Sequence, residues 1–309
     1  MNKNIAFLFS GQGSQYVNMG KEIYDNIPEC KEIFDRGEFI LKMPIKDIIF
    51  NGPEERLTLT ENTQPAILLT SLACLKALEV NGIESDRIAG LSLGEYTALI
   101  YAGVLSFEDG VKLIKERGRI MGSASNIGTM AAVLKLNNEK VNELLEKSSE
   151  FGVIEGANYN CPGQVAIAGE FSAVKESIKI AKELGGMAVP LKVSGPFHSS
   201  LLKDASYEFL ETLKTVKINK LEKVVYSNVK GSPYNENDDI KELLRKQMMS
   251  SVLFEKTIRD MIEEGIDTFV EVGPGKALRG FVKRIDKNVK VLNIEDMDSL
   301  EATIEALKS

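Results

Sequence analysis

The chain has 309 residues, of which 43% are hydrophobic and 27% are charged, and its formal net charge is −7 at pH 7. This length allows one large domain, or a large domain with a smaller one. The acidic balance argues against a nucleic-acid-binding surface, and no apolar run is long enough for a membrane span or a signal peptide. Its three cysteines are far apart and typical of reduced thiols, so we expect a cytoplasmic protein.

A glycine-containing loop follows the first predicted strand, Ile5–Phe9, and contains Gly11 and Gly13. Backbone N–H groups in such a loop can point at an anion. A dinucleotide-binding loop would need a third glycine at position 16, which is Tyr16 here. We therefore expect no Rossmann-type cofactor site.

Helices are predicted next over residues 28–40, 45–50 and 66–80. The last segment is apolar nearly all round, which indicates a buried helix. The polar residues 60–65 in front of it are interpreted as its cap. A turn over residues 82–86 then leads into a short buried strand that ends near Ala89.

A G-x-S-x-G motif follows this strand, with Ser92 between Gly90 and Gly94, and a helix is predicted from residue 95 to 102. A strand, a tight turn with serine at its apex and a helix form the context of a nucleophile elbow, which exposes the serine hydroxyl above the sheet. The alternative is an ordinary turn in which Ser92 caps the helix. We favour the nucleophile.

The next helix is predicted to begin at a capping box at residue 106 and to end near residue 121. It carries Arg117 and Arg119. Residues two positions apart in a helix are separated by about 200° around its axis, so only one of these arginines can face inward.

From residue 128 the pattern changes to strand, helix, two strands, helix and strand, with Asn138–Ser148 as the first of these helices. This β-α-β-β-α-β order over residues 128–195 is typical of a ferredoxin-like motif. The remaining segments alternate between strands and helices, which predicts a parallel sheet covered on both faces. We therefore predict an α/β protein, with a large domain over residues 1–127 and 196–309 and an inserted ferredoxin-like subdomain over residues 128–195.

His198 is the only histidine of the chain. A serine nucleophile needs a base that takes its proton, so a histidine base for Ser92 must be His198. The alternative is a surface histidine in a turn. No acidic residue between the two lies in a loop directly after a strand, so we expect a dyad whose imidazole is oriented by a group other than a carboxylate.

Acyl chemistry also needs donors for the oxyanion. The backbone N–H of Leu93, directly after the serine, is one expected donor. The second is expected from the turn over residues 11–15. One such donor is typically worth about 3 kcal/mol of the activation barrier.

Six motifs occur in one order between residues 9 and 275, and together they resemble the malonyl-CoA:acyl-carrier-protein transacylase family of type II fatty acid synthesis. They are residues 9–15 (FSGQGSQ), 90–96 (GLSLGEY), 117–118 (RG), 157–158 (AN) with 162–165 (PGQV), 195–198 (GPFH) and 271–275 (EVGPG). This combination is far more specific than any single motif.

The resemblance implies a hydrolase-like core with a ferredoxin-like insertion, and malonyl transfer through a malonyl-serine intermediate on Ser92 with His198 as the base. It also implies an oxyanion hole formed by the backbone amides of Gln12 and Leu93. Arg117 matches the arginine that holds the malonyl carboxylate. In the family a backbone carbonyl orients the histidine, and by its position in the chain we assign that carbonyl to Leu253.

The same resemblance implies that malonyl-CoA and an acyl carrier protein are the partners and that no metal or separate cofactor takes part. We expect a monomer, although the sequence does not show the oligomeric state. Phe197 resembles the malonyl-preferring form of its loop. One position departs from the family, because Leu91 stands where a histidine usually precedes the nucleophile. This departure affects a contact near the acyl or CoA end and leaves the elbow intact.

Three other functions remain open from the sequence. A serine esterase or thioesterase would explain Ser92 and His198, but it would explain neither Arg117 nor the inserted subdomain. An acyltransferase of a polyketide system is the second alternative. A non-catalytic module that docks a carrier protein is the third, and the intact set of three residues argues against it.

Overall fold

The structure is a computed structural model that describes residues 4–308. Strands and helices alternate along most of the chain. The strands of the described part are β1 (Ile5–Phe9), β2 (Arg87–Gly90), β3 (Thr129–Leu134), β4 (Ile154–Cys161), β5 (Gln164–Gly169), β6 (Met187–Pro190), β7 (Val224–Ser227), β8 (Ser232–Pro233), β9 (Thr268–Val272) and β10 (Lys290–Ile294). The helices are α1 (Lys21–Asn26), α2 (Pro28–Leu41), α3 (Ile45–Asn51), α4 (Glu54–Thr58), α5 (Thr60–Val80), α6 (Gly94–Tyr101), α7 (Phe107–Gly122), α8 (Asn138–Ser148), α9 (Phe171–Glu183), α10 (Lys203–Lys214), α11 (Ile240–Gln247), α12 (Phe254–Glu263), α13 (Ala277–Ile285) and α14 (Met297–Lys308).

The larger sheet has six strands in the order β10-β9-β1-β2-β7-β8. The first five are parallel, and only β8 at the edge pairs in the antiparallel sense. Phe9 at the end of β1 pairs with Gly90 of β2 and with Val272 of β9. The loops that follow these three strands therefore meet at one edge of the sheet, where sites of open α/β sheets are usually built.

Apolar residues of β1 point to both faces of this sheet, as expected for a buried parallel strand. Phe7 and Phe9 belong to the large core beneath helices such as α5, α6 and α7. Ala6 and Leu8 belong to a second core that includes residues of α12 and α13. The prediction of a parallel sheet covered on both faces is confirmed.

The smaller sheet is antiparallel, with the strand order β4-β5-β3-β6. In the chain order of this segment that is 2-3-1-4, which is the ferredoxin-like arrangement that the β-α-β-β-α-β pattern predicted. Helices α8 and α9 pack on one face and form a separate core with it. The sheet joins the larger domain through hydrogen bonds of Ala157 and Tyr159 in β4 with Val252. The exact subdomain boundaries, 128–195, stay a prediction.

Helix α5 begins earlier than the sequence pattern indicated, because the supposed polar cap is part of the helix. Four of its first polar residues, Thr60, Asn62, Thr63 and Gln64, are buried, and two of them donate to carbonyl groups of the preceding segment. The Asn62 amide donates to the Arg56 carbonyl at 2.9 Å, and the Thr63 hydroxyl donates to the Leu57 carbonyl at 2.6 Å. The sequence analysis took these polar residues for a cap because it did not predict α4, which contains their hydrogen-bond partners.

Within residues 4–308, the structure has no helix that is both long and apolar enough to cross a membrane.

Candidate active site

Ser92 lies at the apex of a sharp turn between β2 and α6. Its φ is 55°, a left-handed conformation that is uncommon for a residue with a side chain. Glycine is required on both sides, because a Cβ on Gly90 would lie 1.9 Å from the Gly94 carbonyl carbon, and one on Gly94 would lie 2.3 Å from the Phe9 oxygen. The turn therefore has the geometry of the predicted nucleophile elbow.

We expect Gly94→Ala to lower the free energy of unfolding by about 2–4 kcal/mol, because the added Cβ meets the backbone of β1 and nothing there can rotate away. Gly280→Ala is the matched control. Gly280 lies in α13, and the space that an added Cβ would occupy is open, so alanine should be neutral or stabilise by up to about 1 kcal/mol. Urea denaturation measures both, and equal stability of the two variants would contradict this account.

Asn228, directly after β7, holds the elbow from the side. Its Oδ1 accepts a hydrogen bond from the Ser92 N–H at 2.7 Å, and its Nδ2 donates to the Gly90 carbonyl at 2.7 Å. Asn228 is buried, with 2% exposure. The sequence analysis missed this residue, because nothing in its neighbourhood along the chain resembles a motif and the contact spans 136 positions.

His198 lies opposite Ser92, with its Nε2 2.7 Å from the Ser92 Oγ. The histidine is 4% exposed and also has a positive φ, of 61°. Its backbone N–H donates to the Met248 carbonyl at 3.0 Å, which fixes the loop in this conformation. The structure thus brings together two residues that are 106 positions apart in the chain.

The Gln247 carbonyl oxygen lies 2.7 Å from the other imidazole nitrogen, His198 Nδ1. A carbonyl only accepts, so Nδ1 carries the proton and Nε2 has its lone pair directed at Ser92. The assignment of this carbonyl to Leu253 was wrong. Leu253 precedes α12 and donates its own N–H to the Asn228 carbonyl, whereas the end of α11 lies against the imidazole.

The imidazole is neutral over the ordinary pH range. Burial, followed by the nearby positive charge of Arg117, lowers the pKa of His198 to about 3, against the opposing effect of hydrogen bonds with the Gln247 and Ser250 backbone. A neutral imidazole with a free Nε2 can accept the proton of the Ser92 hydroxyl.

Arg117 faces inward from α7 and is 1% exposed, whereas the Arg119 side chain is 51% exposed, so the prediction that only one can face inward is confirmed. Arg117 Nη2 donates to the Ser92 Oγ at 3.0 Å, and Nη1 donates to Gln64 Oε1 at 2.8 Å. The guanidinium also lies over the Tyr96 ring, 5.3 Å from its centroid. Burial lowers the pKa of Arg117, but a guanidinium stays charged at neutral pH.

The Gln247 side chain connects these groups. Its Oε1 accepts from Arg117 Nη2 at 3.0 Å, and its Nε2 donates to the Ser92 carbonyl at 2.8 Å and to Glu95 Oε2 at 2.6 Å. The sequence analysis assigned no role to Gln247 or Glu95. Glu95 stands in the quoted motif of residues 90–96, which was the only signal available for it.

A cleft opens above Ser92 and His198. Gln12 from the loop after β1 lines this cleft together with Leu91 and Phe197. Leu93 is the N-cap of α6, so its N–H has no acceptor within the helix. The oxyanion-hole role of the Gln12 and Leu93 amides stays a prediction, and Leu91 presents an apolar side chain where the family usually has histidine.

The arrangement is that of a site for nucleophilic chemistry at the Ser92 hydroxyl. It combines a serine with a neutral histidine at its hydroxyl, and it places a buried cation beside the same hydroxyl. Such a set can form and break an ester on Ser92.

Comparison with known proteins identifies the family of this chain. Residues 6–300 match the acyl transferase domain family. The malonyl CoA-acyl carrier protein transacylase of Bacillus subtilis is 44% identical over 308 residues, which cover 98% of this chain and 97% of that protein.

Solved structures of the same kind superpose closely. The malonyl CoA-acyl carrier protein transacylase of Clostridium perfringens has a TM-score of 0.95 and 52% identity, covering 98% of this chain and 97% of that one. A malonyl-transacylase solved in complex with a type II polyketide synthase acyl-carrier protein has a TM-score of 0.94 and 31% identity, covering 98% and 99%. The chain therefore belongs to the acyl transferase domain family, and within it to the malonyl-CoA:acyl-carrier-protein transacylases.

Proposed function

We propose that this protein transfers the malonyl group from malonyl-CoA to the phosphopantetheine thiol of an acyl carrier protein, through a malonyl ester on Ser92. The observation that carries the proposal is the convergence of His198 Nε2 and Arg117 Nη2 on one oxygen, the Ser92 Oγ. A base and a cation at the same nucleophile suit an acyl group that carries its own carboxylate.

In the first half-reaction, Ser92 Oγ attacks the thioester carbonyl while His198 Nε2 takes the hydroxyl proton. The Gln247 carbonyl accepts from Nδ1–H and stabilises the imidazolium that forms. The Gln12 and Leu93 amides are the proposed donors to the oxyanion. Collapse of the tetrahedral intermediate breaks the carbon–sulfur bond, and the imidazolium returns its proton to the departing CoA thiolate.

The second half-reaction is the reverse with a different thiol. The phosphopantetheine thiol gives its proton to His198 and attacks the malonyl ester, and Ser92 leaves with that proton. CoA and a carrier protein that bears phosphopantetheine present the same pantetheine arm, so one cleft serves both steps and no further cofactor is needed. The loaded carrier protein would supply the extender units of fatty acid synthesis.

Arg117 is the proposed holder of the malonyl carboxylate. That carboxylate is separated from the thioester carbonyl by one methylene group, so it would reach a guanidinium next to Ser92 Oγ. A buried arginine left without its carboxylate is costly, which disfavours acetyl groups. A bound carboxylate also offsets the positive charge that lowers the pKa of His198, so the correct substrate would make the base stronger.

The direct test is the acyl-enzyme. We expect intact-protein mass spectrometry after incubation with malonyl-CoA to show a malonyl adduct, and peptide mapping to locate it on Ser92. Acetyl-CoA and methylmalonyl-CoA run in parallel should give slower labelling. Rapid release of free malonate with no adduct and no transfer to a carrier protein would favour a serine hydrolase instead and contradict the proposal.

A further inference from the structure

Glu95 is a fully buried carboxylate that the proposed reaction does not use. It lies in α6, three residues after Ser92, and its side chain is 0% exposed. Its Oε2 accepts from Gln247 Nε2 at 2.6 Å, and its Oε1 accepts from the Tyr234 hydroxyl at 2.5 Å and from the Asn228 N–H at 3.2 Å. Two of these three donors, Gln247 and Asn228, also hydrogen-bond the backbone of Ser92.

The Gln247 amide is held in one orientation by groups of opposite character. Arg117 can only donate, so it must face the amide oxygen, and an ionised Glu95 can only accept, so it must face the amide nitrogen. The opposite orientation would direct the NH₂ group of Gln247 at the guanidinium and its oxygen at the carboxylate. The Ser92 carbonyl also accepts from Gln247 Nε2, at 2.8 Å, and favours the same orientation, and Glu95 is the ionisable group that reinforces it.

Arg117 depends on this orientation for its own position. Its Nη2 has two acceptors, Gln247 Oε1 and Ser92 Oγ, both at 3.0 Å. Without Gln247 Oε1, the only remaining acceptor of this nitrogen among residues 4–308 is the nucleophile itself. The guanidinium would then be held less firmly where an acyl carboxylate must bind.

We propose that Glu95 is a positioning residue for acyl-group selection: its carboxylate orients the Gln247 amide, and Gln247 in turn holds Arg117 in place to receive the acyl carboxylate. The inference rests on the proposed function in one respect, namely that Arg117 binds the malonyl carboxylate. It goes beyond that function by assigning part of the selectivity to a side chain that contacts neither the substrate nor the reacting atoms.

The protonation state of Glu95 supplies a second readout. Burial raises the pKa of Glu95 to about 7, against the lowering effect of hydrogen bonds from Tyr234, Gln247 and Asn228 and of the Arg117 charge. Above about pH 7 both Glu95 oxygens therefore accept, and below it one of them carries a proton, so the carboxyl group no longer matches all three of its donors.

The pH profile of malonyl transfer should consequently show an acidic limb near pH 7. His198 is an unsuitable source for this limb, since its pKa is lowered to about 3. Tyr234 and Tyr96 also lie next to Glu95, but burial raises the pKa of both phenols above the ordinary value, and Arg117 stays charged. Glu271 lines the same cleft and burial raises its pKa to about 7, so it is the loss of the limb in Glu95→Gln that assigns the limb to Glu95.

Glu95→Gln is the test, because it keeps the size of the side chain and removes the charge. One amide end faces Gln247 and the other faces Tyr234 and Asn228, so a glutamine loses at least one of these hydrogen bonds in either orientation. We expect the rate of Ser92 acylation by malonyl-CoA to fall about tenfold or more, and acylation by acetyl-CoA to change less than about threefold. The acidic limb near pH 7 should disappear. Equal loss with both thioesters, or an unchanged limb, would overturn the proposal.

Two further variants locate the effect. Tyr234→Phe removes a different donor from the same carboxylate and leaves the contact with Gln247. Because the Tyr234 hydrogen bond lowers the pKa of Glu95, this variant is assayed well above pH 7, where the malonyl-to-acetyl ratio should stay within about threefold of wild type. Gln247→Met keeps the backbone carbonyl at His198 and removes the amide, and it should lower the ratio as Glu95→Gln does. In the double variant Glu95→Gln with Gln247→Met, the two losses should not add. Additive losses, or an equal loss in Tyr234→Phe, would overturn the assignment to Gln247.

A crystal structure tests the same proposal without an activity measurement. A crystal structure of Glu95→Gln should lack the hydrogen bond between Arg117 Nη2 and Gln247 Oε1, and its persistence would overturn the proposal. Failure of the proposed function has a different signature, since the wild-type protein itself would then form no malonyl ester on Ser92.

Discussion

Replacing Ser92 by alanine is expected to abolish the malonyl-enzyme and to lower malonyl transfer by at least about 10⁴-fold. The reason is chemical, since the variant has no atom in the elbow that can form the ester, and the other groups of the site cannot substitute for it. Transfer of a radiolabelled malonyl group from CoA to a carrier protein measures the loss. Intact-protein mass spectrometry should show no adduct.

Ser123→Ala is the matched control for Ser92→Ala. Ser123 follows α7, and its hydroxyl donates only to the Ile120 carbonyl at the helix end. This variant should retain transfer within about twofold, since substitutions away from special features are usually worth less than about 0.5 kcal/mol. Substantial residual transfer by Ser92→Ala, with the adduct on another residue, would contradict the assignment of the nucleophile.

Replacing Arg117 by alanine is expected to lower kcat/KM for malonyl-CoA by about 10²- to 10⁴-fold. The variant removes the cation at Ser92 Oγ, and breaking a buried ion pair by removing one partner typically costs about 3–5 kcal/mol. The rate of acylation by acetyl-CoA should change far less or rise, because the acetyl group has no carboxylate for Arg117 to bind. The measured quantity is the ratio of the two acylation rates, which does not depend on how much of the variant is folded.

Arg119→Ala, on the same helix, is the control for Arg117→Ala. Arg119 faces solvent and pairs with Glu116 and Glu208, and exposed pairs of this kind contribute little to stability. Its malonyl-to-acetyl ratio should equal that of wild type. Unchanged malonyl kinetics in Arg117→Ala would contradict the role of Arg117 in holding the carboxylate.

The elements that sequence could predict are those whose signal is local. The G-x-S-x-G spacing between an apolar run and a helix predicted the elbow at Ser92, because a turn this sharp excludes a Cβ on Gly90 and Gly94. The rotation per residue of a helix predicted that Arg117 and Arg119 face different ways. The ferredoxin-like segment could also be predicted from a local signal, because the hydrophobic periodicity of each strand and helix is visible in consecutive residues.

The carbonyl that orients His198 could not be predicted from the sequence. Leu253 and Gln247 are six positions apart, and any residue of the chain has a carbonyl that could serve. Which one lies against Nδ1 depends on how the end of α11 packs beside the histidine loop, where the His198 N–H and the Met248 carbonyl form a backbone hydrogen bond. Chain position contains no information about that packing.

The residues that brace the site were missed for a related reason. Asn228 contacts Ser92 across 136 positions, and Gln247 contacts Glu95 across 152. The role of a buried side-chain amide depends on its hydrogen-bond partners, and these are known only once the strands and helices have been placed in three dimensions. Composition and periodicity treat the same residues as ordinary polar positions.

From its sequence alone, this chain could be predicted to be an α/β protein with a serine at a nucleophile elbow, one available imidazole and one arginine on the inner face of a helix. These properties follow from local geometry and from the presence of a single histidine, so they need no knowledge of distant contacts. Assembly of the chain added the groups that make the three side chains work together, namely the carbonyl behind His198, the amides that hold the elbow and the carboxylate of Glu95. Long-range packing selects those partners, because parallel strands bring loops from distant parts of the chain to one edge of the sheet.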